Sequence, residues 1–241
     1  MTADIGALVQ TLLEARDKEF LNGLSEAHVL LRDAPEAGLR VFLDLKQSLA
    51  ERLKQNENSL EYNKRIEYVL SFLSEYHVRN GLHDDALRFG SDALSYFDKT
   101  LQLTTKGAAL SEEEKSFRLA ALIGRVSILY LMAEACYFDN KKPAELGKYL
   151  SQAAKAVTSL ISYTSVDYMS VIISTLIDMG EYYTTKRALP IAENVYRSVW
   201  QSMPEREDLE YKLVKELVRV SQLQIKDRMQ LEKAFRKANK T

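Results

Sequence analysis

The sequence predicts an all-α protein. Apolar residues recur at intervals of three and four along almost the whole chain, whereas the alternation typical of a strand is nearly absent. The strong helix formers Ala, Leu, Glu, Lys, Arg and Gln dominate the composition. Only 9 glycines and 4 prolines occur in 241 residues, which leaves little turn chemistry for an all-β fold. We therefore expect about nine or ten antiparallel helices, joined by short loops in a single domain over residues 1–241.

Breaks in the helical pattern delimit the elements of the first half. Gly23 is expected to separate the first two helices, and Pro35 suits the first turn of the third, because its missing N–H costs nothing there. Ser59 is expected to cap the fourth helix. Asn80-Gly81 is expected to stop it, because glycine readily adopts the left-handed conformation. The predicted helices are 4–22, 24–32, 35–55, 59–79 and 83–103.

Similar signals delimit the second half. Ser111 and Glu114 have the spacing of a capping box, which opens a long helix after a loop near 104–110, where we place a soft boundary. Pro190 suits the first turn of the penultimate helix, and Pro204 separates it from the last. The predicted helices are 112–138, 143–162, 165–184, 189–203 and 205–237.

Charge is distributed unevenly along the chain. Residues 212–241 hold nine Lys or Arg and three Asp or Glu, a net +6, so residues 1–211 carry −7 of the overall −1. The charge pattern predicts an acidic body followed by a basic C-terminal capping helix over 205–241. The single cysteine, Cys136, lies in an apolar run and is expected to be a buried thiol in a reducing compartment, in the cytoplasm or the nucleus. No segment is expected to supply the roughly 20 apolar residues of a membrane span.

Small residues recur at a fixed spacing in two stretches. Ser74 and Ala86 are twelve residues apart, and so are Gly180 and Ala192. This pattern resembles the tetratricopeptide repeat, a helical hairpin with small residues where its two helices cross. A further unit is placed at Ala133, with one additional residue in its turn. The resemblance, which covers about half of the chain, implies a right-handed superhelix that binds other proteins. The alternative is another all-α array or bundle.

Motifs of catalysis and of metal or nucleotide binding are missing from the sequence. The three histidines, His28, His77 and His83, do not stand at metal-ligand spacing with other ligands, and no glycine-rich phosphate loop occurs. We therefore expect no enzyme activity, no cofactor and no metal. Nucleic acid is not expected as the main partner, because the body of the chain is acidic.

The resemblance also implies a concave groove lined by the first helix of each unit. A glutamate falls at the same position in all three units, at Glu75, Glu134 and Glu181, which favours a basic or amphipathic partner peptide. The alternative is that these glutamates are solvated helix positions and the neighbouring tyrosines belong to the core. The predicted groove residues are Tyr68, Glu75, Tyr130, Glu134, Tyr137, Ile177, Glu181 and Thr184.

The C-terminal helix is the second predicted site, through a basic patch at Lys226, Arg228, Lys233, Arg236 and Lys237. It is predicted to cap the last repeat, to dock on an acidic partner, a membrane surface or nucleic acid, or to fold back on the groove. Function is expected to be that of a non-enzymatic interaction scaffold or adaptor. The alternatives are a phosphopeptide-binding helical adaptor and a structural subunit of a multiprotein assembly.

Overall fold

The computed structural model describes residues 18–105, 110–139, 142–203 and 207–238. These residues form nine α-helices and no strand, which confirms the all-α class. The helices are α1 (Lys18–Asp33), α2 (Pro35–Gln55), α3 (Leu60–Arg79), α4 (His83–Leu103), α5 (Glu112–Asp139), α6 (Pro143–Tyr163), α7 (Val166–Thr185), α8 (Leu189–Ser202) and α9 (Glu207–Ala238).

Local capping chemistry starts α3 and α5 as expected. The Ser59 hydroxyl accepts a hydrogen bond from the Tyr62 amide at 3.2 Å. At α5, the Glu114 amide donates to Ser111 Oγ at 3.2 Å, and the Ser111 amide donates back to Glu114 Oε2 at 2.8 Å. Both capping interactions are confirmed, and each satisfies helix N–H groups that would otherwise lack a partner.

The predicted helix break at Gly23 is wrong. Helix α1 runs through Gly23 without interruption, while residues 4–17 of the expected first helix lie outside the described residues. A Cβ at position 23 would lie 3.0 Å from Leu45 Cδ2 on α2. Gly23 therefore serves the close approach of two helices rather than a turn.

The chain divides into two compact units, Met1–Ile128 and Leu129–Thr241. In the first unit, α1 packs on α2, α2 on α3 and α3 on α4. Phe42, Ile66, Leu70 and Leu73 are among its fully buried side chains. The soft boundary expected near 104–110 stays a prediction, because residues 106–109 lie outside the described part of the chain.

In the second unit, α8 is the helix around which the others pack. It contacts α6, α7 and α9. Ala192, Val195, Tyr196 and Val199 of α8 are fully buried as a result. Cys136 on α5 is also buried, as expected from the apolar run around it.

The hairpins α3–α4 and α7–α8 share one turn geometry. After α3, Gly81 has φ +72°, and the Leu82 amide donates to the His77 carbonyl at 2.8 Å. After α7, Arg187 has φ +60°, and the Ala188 amide donates to the Tyr183 carbonyl at 3.0 Å. Each helix thus ends in a Schellman motif with one left-handed residue.

The small residues of the two hairpins act where their helices cross. The Ser74 hydroxyl donates to the Ala86 carbonyl at 2.8 Å, so the side chain of α3 bonds the backbone of α4. On α7, Gly180 lies against the Tyr196 ring, and a Cβ at position 180 would be 2.4 Å from Tyr196 Cε1. Small residues therefore set the approach of both helix pairs, although the atoms in contact differ.

Helix α5 is, within the described residues, the one helix long and apolar enough to cross a bilayer. Residues 119–136 contain only two charged side chains, which differs from our expectation that no segment would reach this length. Of its apolar window, 61% is buried inside the protein. A buried core helix has the same composition, so this finding does not establish a membrane span.

Candidate interaction surfaces

Two of the predicted groove residues, Tyr68 and Glu75, lie half-buried on α3 in the first unit. The Tyr68 hydroxyl is 3.4 Å from His28 Nε2. Burial and the charge of Glu75 raise the pKa of Tyr68 above its usual value. The Glu75 carboxylate accepts a hydrogen bond from Arg79 one turn later. Both side chains keep part of their surface available to a partner.

Four predicted groove residues of the second unit belong to the core instead. Tyr130 and Ile177 have no exposed surface, and Thr184 and Glu134 are 3% and 1% exposed. A residue without exposed surface cannot contact a partner in this state. Because α5 and α7 are apolar on several faces, the repeat spacing alone does not show which face is covered.

Glu134 is held in the core by an ion pair. Lys186 Nζ lies 2.6 Å from Glu134 Oε1 and 4.6 Å from the centre of the Tyr182 ring. Burial lowers the pKa of Lys186, but the hydrogen bonds to Glu134 and Tyr182 raise it more, so its pKa is above the usual value. Because Glu134 is buried, loss of Lys186 would leave its carboxylate without a compensating charge, which is strongly destabilising.

Hydroxyl groups surround the same core region. The Tyr130 hydroxyl donates to Asn194 Oδ1 at 3.0 Å, and the Thr184 hydroxyl donates to the Gly180 carbonyl at 2.9 Å. Burial, followed by the charge of Glu134, raises the pKa of Tyr183 well above its usual value. The bond from Tyr130 links α5 to α8, whereas the bond from Thr184 satisfies a hydroxyl within α7.

The remaining two predicted groove residues, Tyr137 and Glu181, are half-buried. The Tyr137 hydroxyl donates to the Arg187 carbonyl at 3.0 Å, which holds the turn after α7. Glu181 precedes the left-handed residue Arg187 by six positions, just as Glu75 precedes Gly81. The two glutamates therefore occupy equivalent positions in equivalent hairpins.

The basic patch is described in part. Lys226 and Arg228 are exposed on α9, and Arg228 Nε lies 3.8 Å from Glu232 Oε1. The side chains of Lys233, Arg236 and Lys237 lie outside the described part of the structure, although their backbone belongs to α9.

Helix α9 has a second apolar face that sequence reasoning did not separate from the first. Leu213 and Val220 are buried in the second unit. On the opposite side of the helix, five large apolar side chains are between 42% and 77% exposed: Tyr211, Val214, Val218, Ile225 and Met229. A helical wheel at about 3.6 residues per turn would have divided these residues into two faces.

Sequence reasoning also missed a buried polar cluster in the first unit. Glu67 accepts a hydrogen bond from the Thr100 hydroxyl at 2.5 Å, and Lys64 Nζ lies 5.0 Å from the centre of the Phe117 ring. Burial raises the pKa of Glu67 to about 7, against the opposing effects of Thr100 and Lys64. Burial likewise lowers the pKa of Lys64.

No group of three or more His, Cys, Asp or Glu side chains within the described ranges is arranged to hold a metal ion. Comparison with known proteins gives no further assignment: no family model, no curated protein and no solved structure matches this chain. The surfaces described above are therefore the basis for a functional proposal.

Proposed function

We propose that this chain is a non-enzymatic scaffold or adaptor, built of tetratricopeptide-like hairpins, that binds a basic or amphipathic segment of another protein. The matched turns after α3 and α7 support the repeat architecture. Repeats of this kind present similar side chains at regular positions for a partner.

The observation that carries the proposal is the repetition of Glu75-Tyr76 as Glu181-Tyr182. All four side chains are half-buried, so each presents surface while its stem is held by the helix. An acidic group next to an aromatic ring, presented by each hairpin within its own unit, suits a basic and an apolar residue of a partner at that hairpin.

The experiment is affinity capture with the double charge reversal Glu75→Lys and Glu181→Lys. Proteins captured by the unmodified chain are identified, purified and measured against each variant. We expect the double reversal to weaken binding of the captured partner by about tenfold or more, because it replaces two attractions with two repulsions. Glu134 is left unchanged, since reversing a buried charge would test folding rather than binding.

The matched control reverses two exposed glutamates elsewhere in the first unit, Glu26→Lys and Glu51→Lys. It changes the net charge by the same amount and should leave binding intact. Helical content by circular dichroism checks that both variants fold. Equal binding by all three proteins would refute the role of Glu75 and Glu181.

A further inference from the structure

Helix α9 carries an outward-facing row of apolar side chains, here called the outer stripe: Tyr211, Val214, Val218, Ile225 and Met229. Successive members are separated by 3, 4, 7 and 4 residues, so they follow one side of the helix. The first four fit the a and d positions of a heptad pattern, and Met229 lies one residue beyond the next such position. At 1.5 Å per residue the stripe is about 27 Å long. This is the length over which a partner helix of about three heptads would pack.

The packing of α9 on its own unit leaves this stripe uncovered. Gln224 Nε2 donates to Glu193 Oε2 of α8 at 2.9 Å, and Asp227 Oδ1 lies 3.7 Å from Arg187 Nη1. Together with the buried Leu213 and Val220, these contacts fix which side of α9 faces α8. The outer stripe therefore does not belong to the core of the second unit.

One edge of the outer stripe is basic. Lys215, Arg219 and Lys226 follow that edge at helical spacing, and all three are exposed. Arg219 pairs with Glu216 at 3.1 Å, whereas Lys215 and Lys226 make no ion pair with any described residue. Such edge charges select the partner of a helical seam.

From this arrangement we propose that the outer stripe of α9 docks an amphipathic helix of another protein, with acidic residues along the edge that faces Lys215 and Lys226. Apolar side chains of the partner fill the seam, and its carboxylates pair with the two lysines. Ser221 and Gln222 interrupt the seam between Val218 and Ile225, so the partner is expected to place a polar side chain there, which fixes the register.

A second copy of this chain does not satisfy the same chemistry. In an antiparallel pair of α9 helices, the basic edge of one copy would face the basic edge of the other. In a parallel pair it would face Glu210, Ser221 and Arg228, of which only the first is acidic. Neither arrangement pairs the lysines along the whole seam.

The stripe is also unlike a membrane-binding face. An in-plane membrane helix presents a broad apolar face, whereas the outer stripe has the narrow width of a coiled-coil seam. Glu232, which is exposed, lies close to the line of the stripe at its C-terminal end, where it would repel anionic headgroups.

The test uses the full chain and a displayed library of three-heptad helices. Their seam positions are apolar and their edge positions vary among Glu, Gln and Lys. We expect selection of helices with glutamates along one edge. The double substitution Val218→Ser and Ile225→Ser should weaken binding of the selected helices about tenfold or more. Replacing Val29 and Leu43, two exposed apolar residues of the first unit, with serine should not weaken it.

A charge reversal, Lys215→Glu with Lys226→Glu, should change the selected edge from glutamate to lysine. The Glu75→Lys and Glu181→Lys variant should still bind the acidic helices, so failure of the groove proposal and failure of this one are distinguishable. Four outcomes would overturn the docking proposal. The first is that the unmodified chain selects helices no better than the Val218→Ser/Ile225→Ser variant does. The second is that the preferred edge residue stays the same when the two lysines are reversed. The other two are stripe-dependent binding to phosphatidylcholine–phosphatidylserine vesicles and stripe-dependent self-association in sedimentation.

Discussion

A side chain at position 180 is predicted to destabilise the protein, because Gly180 lies against the ring of Tyr196. An added Cβ would be 2.4 Å from Cε1 and 2.5 Å from Cζ of that ring. Favourable carbon–carbon contacts are about 3.5–4.0 Å, so the ring would have to move by about 1 Å. Tyr196 is fully buried, so a shift of its ring would disturb the side chains packed around it.

The expected cost of Gly180→Ala follows from two opposing terms. Overpacking a buried site costs about 1–3 kcal/mol. Alanine is about 1 kcal/mol better than glycine inside a helix, which offsets part of that cost. We expect the free energy of unfolding to fall by about 1–2 kcal/mol, and the melting temperature of a chain of this size to fall by several degrees.

The assay is urea unfolding followed by circular dichroism, with Gly147→Ala as the matched control. Gly147 also lies in a helix, α6, but nothing is within 4 Å of a Cβ added there. That substitution should therefore stabilise the protein by up to about 1 kcal/mol. Both substitutions replace glycine with alanine inside a helix. If they change the free energy of unfolding in opposite directions, the difference is due to the Tyr196 ring.

A double-mutant cycle tests the cause directly. Tyr196→Ala alone should destabilise by about 3–5 kcal/mol, as for other large aromatic truncations. In that background Gly180→Ala should become neutral or stabilising, because the ring is gone. If Gly180→Ala stabilises the protein while Tyr196 is present, the reasoning about their contact is wrong.

Two further predictions concern buried charges. Burial raises the pKa of Glu67 to about 7, so the stability associated with its protonated form is present below about pH 4.5 and is lost as pH rises through about 7. At about pH 8, Glu67→Gln should therefore raise the free energy of unfolding, measured in urea, by up to about 3 kcal/mol. At about pH 4 the variant and the unmodified protein should be nearly equally stable. A stability difference that does not depend on pH would contradict this. Lys186→Met should lower the free energy of unfolding by about 2–3 kcal/mol, because it leaves the Glu134 carboxylate buried and unpaired. Adding Glu134→Gln should restore part of this stability. A loss below about 0.5 kcal/mol would mean that Glu134 reaches solvent.

The helix ends could be predicted from the sequence because short-range chemistry sets them. Ser59, Ser111 and Glu114 act on amides within three residues, so their effect is visible in the local sequence. Gly23 shows the limit of this reasoning. Its role depends on Leu45, twenty-two residues away, and a local pattern cannot distinguish a close approach between helices from a helix break.

The candidate surfaces were harder to predict because exposure depends on distant neighbours. Glu134 was expected to be as accessible as Glu75 and Glu181, yet it is buried and bonded to Lys186, 52 residues away. The outer stripe shows the opposite case. Its residues are as apolar as those of a core face, and only the packing of α9 on α8 shows that they remain exposed.

The turn geometry that the two hairpins share is a property of the backbone more than of the residues. Arg187 adopts the left-handed conformation that Gly81 adopts in the first hairpin, at a cost of about 1–2 kcal/mol for a residue with a Cβ. The Ala188 amide donates to the Tyr183 carbonyl, and the Tyr137 hydroxyl donates to the Arg187 carbonyl. Ala188 itself is fully buried. Packing of the hairpin therefore imposes the conformation against the local preference of arginine. A glycine marks this turn in the first hairpin but not in the second, where the spacing of Gly180 and Ala192 is the signal that the sequence offers.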